Sequence, residues 1–343
     1  MQVALVFNRN PTFSFVEFTA PLPVSQSLWL ASTADEWKQL MQPSVEIRPL
    51  QLSLRDVLLS STLLTNKNAN IDATKASSIW LYGLAGQIFD YRKQDVLVNT
   101  ASSHRTTGFQ LGMRAQQQNI HEALTTFQGI GTATPPELLL LREFLAMSLF
   151  VSVDDILRFA GRNGLAEARH TFPLLESWFI QPQARNAVWH AGQVVRTAGQ
   201  ILPFQFRGYE AIMIYHAVLV LWIYGVLRCA SLKHSTKSRC VSPEADWIES
   251  AREKQILLNG DANSDTMQFL ELGLGCPGLA NVGSLPADSP FCDLRYPSLI
   301  LAIGSAVLKN NYRNTQHDTR IPPSVKRLCD LMDRLGAVPQ VEI

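Results

Sequence analysis

Apolar positions recur along this chain with the period of a helix. Val188, Ala191, Gly192 and Val195 follow the i, i+3, i+4, i+7 spacing that puts side chains on one helical face. Pro182 suits the first helical position, where its missing N–H is unneeded, and Gly199 stands where that helix stops. The small residues on this face let a second helix approach closely. The next segment, Ala211 to Leu227, is apolar on every side except at His216 and predicts that second, buried helix. Leu138, Leu141 and Leu145 form one face of another helix, Trp80, Leu81, Leu84 and Ile88 of a third, and Leu111, Ile120, Leu124 and Phe127 of a fourth. Val325, Leu328, Leu331, Met332 and Leu335 give the strongest periodicity in the C-terminal half. No strand-like alternation lies between these runs, so the pattern predicts an all-α fold: an extended multi-helix domain with a long C-terminal loop region.

Polar residues mark the helix starts. Ser32 with Asp35, Ser53 with Asp56 and Ser152 with Asp155 each pair a side-chain cap with an acid near a helix N-terminus. Thr134, Pro135 and Glu137 open the helix that holds Leu138, while Asp72 and Thr107 cap two more. Ser242 with Pro243 starts a helix that Gly260 stops, and Pro322 and Pro323 introduce a last one that Gly336 stops. Residues 231–241 are polar and basic, as in a surface loop, and 259–290, rich in Gly, Asn, Asp and Pro, form the longest irregular stretch. The predicted organisation is one domain, with residues 1–240 as its main helical body and 241–343 as a helical C-terminal part packed on it. There is no internal repeat.

Composition narrows the function classes. The 343 residues are 46% hydrophobic, ample for a real core. Thirty Lys plus Arg stand against 29 Asp plus Glu, which leaves no field to attract a phosphate backbone. The five cysteines are odd in number and widely spaced, and no secretory apolar segment follows Met1, so a reducing compartment fits. Ala211 to Leu227 stands at the short limit for a membrane span, contains His216, and spreads Tyr215, Trp222 and Tyr224 along its length instead of at its ends. The basic residues after it, Arg228, Lys233, Lys237 and Arg239, favour a membrane; the rest favours a core helix.

Little of the sequence points to catalysis. Gly273, Gly275 and Gly278 have the G-x-G-x-x-G spacing of a dinucleotide-binding turn, but turn residues follow where a helix N-terminus must meet pyrophosphate. His121 and Glu122 begin a zincin-like helix, and Thr125 stands where the second histidine belongs. No Ser lies in a G-x-S-x-G elbow, and Cys276 has no identifiable histidine partner. Asp154 and Asp155 read as capping acids behind Ser152. Arg185, Trp189 and Arg196 form a cationic and aromatic strip along one side of the Pro182 helix, which suits contact with a protein partner. The alternative is a half-packed tryptophan between solvated arginines.

Several segments carry a family resemblance. FPLLESWF (172–179), ARNAVWHAGQV (184–194) and the YHAVLVLWIYGVL run (215–227) resemble the regulatory domain of fungal-specific transcription factors, most closely the branch attached to two-Cys two-His zinc fingers. LPVSQSLWLASTADEWKQL (22–40), LREFLAMSLFVSVDDILRFAG (141–161) and IPPSVKRLCDLMDRLG (321–336) extend the resemblance over most of the chain. It implies transcriptional regulation by RNA polymerase II in a fungal nucleus, through protein contacts or self-association, with a small-molecule effector as a further option.

The family's DNA reader needs zinc, and a finger needs thiolates two to four residues apart with histidines three to five apart. Here no two cysteines are closer than 11 residues, five cysteines fall short of a six-cysteine zinc cluster, and His170, His190 and His216 are isolated. The expectation is therefore no cofactor or metal in this chain, DNA contact only through a module outside it, and no membrane partner. Met1 runs at once into VALVF and NPTFSFVEF, which reads like the inside of a domain, so an N-terminal truncation is expected. Two rival classes stand beside this reading: a helical small-molecule binding protein or enzyme with an apolar pocket, and a protein inserted in a membrane through residues 211–227.

Overall fold

The computed structural model describes residues 17–41, 51–65, 71–100, 107–127, 134–235, 254–280, 290–312 and 321–337. Among them 73% are helical and 6% are in strands, so the fold is all-α in class. Packing divides the chain into two compact units, Met1–Leu138 and Leu139–Ile343. The elements of the 241–343 segment belong to the second unit, with the helices from 139 onward.

The first unit contains α1 (Gln26–Leu30), α2 (Ala34–Met41), α3 (Leu54–Leu59), a 3-10 turn (Ser61–Thr65), α4 (Ala73–Thr100) and α5 (Thr107–Thr126). Helix α3 starts at a full capping box: Ser53 Oγ accepts from the Asp56 N–H, and the Asp56 carboxylate accepts from the Ser53 N–H. Asp72 caps α4 by accepting from the Lys75 N–H at 3.0 Å. Helix α2 departs from the expected cap by one residue. Thr33 Oγ1 accepts from the Glu36 N–H, and Glu36 accepts from the Ser32 N–H, so Thr33 and Glu36 do what Ser32 and Asp35 were expected to do. Helix α4 buries Trp80, Leu81, Leu84 and Ile88 as the spacing predicts, and α5 buries Ile120 and Leu124. Leu111 is exposed, and Met113 takes the core position in the first turns of α5. Trp80 stacks on Phe127 with ring centroids 5.3 Å apart and donates from Nε1 to the Val57 carbonyl at 3.1 Å.

The second unit is built on α6 (Pro136–Phe150), α7 (Val153–Phe159), α8 (Leu165–Phe179), α9 (Pro182–Ala198) and α10 (Tyr209–Ser235), followed by α12 (Pro297–Asn310) and α13 (Pro323–Ala337). Helix α10 is its centre, with α7, α8, α9, α12 and α13 packed on it. The span Tyr209–Ser231 is long and apolar enough to cross a membrane, and 94% of its most apolar window is buried inside the protein. Close approach comes from glycine. A Cβ at Gly225 of α10 would stand 2.1 Å from the Leu294 carbonyl oxygen, and one at Gly304 of α12 would stand 2.6 Å from the Val218 side chain. Helix α8 keeps Pro173 inside it, where the missing N–H removes one helical bond. Helix α10 runs on to Ser235, into the segment expected to be a surface loop; residues 236–241 lie outside the described residues.

Within and just before the predicted irregular stretch 259–290 the described residues hold short regular elements; residues 281–289 lie outside the described residues. Strand β1 (Gln255–Leu257), helix α11 (Ser264–Leu272) and strand β2 (Cys276–Ala280) form a β–α–β crossover, with β1 and β2 parallel. Strand β3 (Phe291–Asp293) pairs antiparallel with β2, giving the order β1-β2-β3. Two of these strands are only three residues long, too short to show alternation. Asn263 caps α11 by accepting from the Thr266 N–H at 2.8 Å. The start of the helix expected from Ser242 lies outside the described residues, and the stretch before Gly260 is β1 and a turn.

Candidate functional site

The strip on α9 faces its own chain. Arg185 Nε and Nη2 donate at 2.8 Å to the carbonyls of Leu270 and Glu271, the unpaired last turn of α11. Arg196 Nη1 donates to the Gly260 carbonyl at 2.8 Å, and Nη2 to Asp261 at 2.6 Å. Between them Gln193 Nε2 donates to the carbonyls of Leu258 and Gly260 at 2.8 and 2.9 Å. Gly192 makes this fit: a Cβ there would stand 2.4 Å from the Leu258 carbonyl oxygen. Arg228 of α10 reaches the same segment, donating to the Gly275 carbonyl at 2.9 Å. Trp189 is half-buried. Both arginines thus hold the β–α–β segment on α9, with part of each side chain still exposed.

The three glycines of GLGCPG each answer a local need. Gly273 ends α11 in the left-handed region at φ 75°, Gly275 sits at φ 104° against Ile256, and a Cβ on Gly278 would strike the Cys292 carbonyl oxygen at 2.4 Å. The helix precedes this turn and a strand follows it, the reverse of a phosphate-binding strand–turn–helix. Among the thiols, Cys292 is pushed up to about 11 by burial and then by the Asp293 charge, so it stays protonated near neutral pH.

Two histidines meet α6 in the core. His190 Nδ1 lies 2.7 Å from Glu143 Oε2, and both side chains are buried. Glu143 also accepts from Arg142, with Nε at 3.0 Å. Burial opposes the Glu143 charge, yet the hydrogen bond and charge of His190, together with Arg142, hold its carboxyl below the usual range. His216 stacks on Phe144, with centroids 6.1 Å apart, and its buried Nδ1 has no hydrogen-bond partner. Burial and then the Arg162 charge push it down to about 4, so it is neutral in the fold. The sequence pattern put His216 in a buried helix but left His190 as an isolated histidine and missed Glu143, which is 47 residues from His190. The cue was an acid between apolar residues, beside Arg142 in LREFL.

The first unit carries a groove of about 530 Å³ between α3, α4 and α5. Leu58, Trp80, Leu84 and Ile120 form its apolar part, and the amides of Gln87, Gln116 and Asn119 its polar part. Among the described residues no Lys, Arg, His, Asp or Glu lines it. Among the described residues no group of three or more His, Cys, Asp or Glu is placed to hold a metal ion.

No family model matches the chain, and no curated protein or solved structure matches it.

Proposed function

We propose that this chain is the regulatory part of a fungal RNA polymerase II transcription factor. It acts in the nucleus through protein contacts, and a module outside this chain reads DNA. One observation carries the reading: the segments of the second unit that resemble that family, although far apart in sequence, meet in one core. Glu143 and Phe144 of LREFL touch His190 of VWHAGQV and His216 of YHAVL. Trp178 of FPLLESWF donates to the Phe150 carbonyl at 2.9 Å, and α13, which carries IPPSVKRLC, packs on α12 and α10. A formal net charge of +1 agrees with DNA reading by another module.

The test is to join the chain to a heterologous DNA-binding module beside a reporter in a fungal cell. Reporter output that differs from the module alone is expected. A folded, nuclear fusion with the output of the module alone overturns the proposal, as does salt-sensitive, submicromolar binding of duplex DNA by the isolated chain. The groove in the first unit favours a second reading, a small-molecule binding protein, which is compatible with effector-controlled regulation.

A further inference from the structure

The groove in the first unit is bounded by three elements that leave it room for different reasons. On one wall α5 presents Gly112 and Ala115, and a Cβ built at Gly112 meets nothing within 4 Å. The floor is fixed, because Trp80 is only 2% exposed, stacks on Phe127 and spends its Nε1 proton on the Val57 carbonyl. Leu84 and Ile120 are buried beside it. A volume of about 530 Å³ lies within the range of small-molecule sites.

The polar groups select the ligand. Gln87, Gln116 and Asn119 make no hydrogen bond to other described residues, so each amide keeps both a donor and an acceptor to offer. Among the described residues no Lys, Arg, His, Asp or Glu lines the groove, so a charged ligand would lose hydration with no opposite charge there to replace it. An apolar floor with paired donors and acceptors at its edge suits a molecule of the same character.

We infer that this groove binds a neutral small molecule with an apolar ring and a carboxamide-like edge. The ring lies on Leu58, Leu84 and Ile120, and the edge exchanges hydrogen bonds with Gln116 and its neighbouring amides. This goes beyond the regulatory reading, since it concerns a ligand site in the first unit and needs no transcriptional output.

A matched probe set tests it: benzamide, benzoate and benzylamine, one neutral, one anionic and one cationic at neutral pH, titrated against the whole chain by ligand-observed NMR. Benzamide is expected to bind at least about fivefold more tightly than either charged analogue, with a dissociation constant below about 10 mM. Ala115→Leu fills the groove from an exposed helical position and abolishes binding, while Gln116→Leu weakens it about tenfold through lost hydrogen bonds. Circular dichroism checks that both variants keep their helix content; if Ala115→Leu does not fold, Gln116→Leu carries the test. Equal binding of the three probes, no binding of benzamide at about 10 mM, or binding unchanged in a folded variant overturns the inference. None of these results bears on the reporter fusion, so either proposal can fail alone.

Discussion

Glycine and amide side chains do opposite things in the two units. In the second unit, Gly192 and Gly225 have a carbonyl of another segment where a Cβ would be, and Gln193 gives its amide protons to the carbonyls of Leu258 and Gly260. In the first unit, Gly112 faces open space and Gln116 has no partner among the described residues. Gly192, Gln193, Gly112 and Gln116 all lie on helices with one apolar face, so residue type alone does not tell closure from vacancy. What decides is whether a later segment returns to fill the space. Leu258 and Leu294 do so on α9 and α10.

The largest contrast comes from one substitution made twice. Gly225→Ala places a methyl 2.1 Å from the Leu294 oxygen and is expected to cost about 3 kcal/mol in urea denaturation. An effect of comparable size comes from His216. Its folded pKa of about 4 lies below the unfolded 6.5, so the unfolded chain takes up the proton first as pH falls. Stability should therefore drop by about 3 kcal/mol from pH 6.5 to pH 4 on this account, and His216→Leu should remove that part of the slope. Melting curves across that range check it. Gln193→Ala takes the amide donor from the Leu258 carbonyl and leaves the Gly260 carbonyl to Arg196, and should cost about 1 kcal/mol, whereas Gln116→Ala should change stability by less than about 0.5 kcal/mol. At the far end, Gly112→Ala should stabilise by about 1 kcal/mol, because an open helical glycine gains from a methyl. A loss there would show that the α5 wall is packed after all.

Legibility followed the length over which a pattern is repeated. Pro182 and the Val188–Val195 face fixed α9 closely, and the apolar run of α10 declared its burial before any packing was seen. Ser53 with Asp56 and Ser152 with Asp155 cap α3 and α7 as their spacing says. The sheet stayed hidden because β1 and β3 have three residues each, and each pairs with β2, a separate segment of the chain. Asn263 followed by Asp265 was the available sign of α11, submerged among turn-forming neighbours. The arginine strip shows a different limit. Its positions on α9 were legible, but the carbonyls it binds lie 64 to 86 residues away, and a one-helix pattern carries no information about them. The groove is equally non-local, since three elements must be placed before it exists.

Native-state amide hydrogen exchange, resolved helix by helix, tests the central claim that the helices of the second unit form one core. The account predicts that α6, α9, α10 and α12 share the highest opening free energy, and that all fall together in Gly225→Ala. Exchange of α6 at a distinctly lower free energy than α9 and α10, with only α10 and α12 responding to Gly225→Ala, would contradict it.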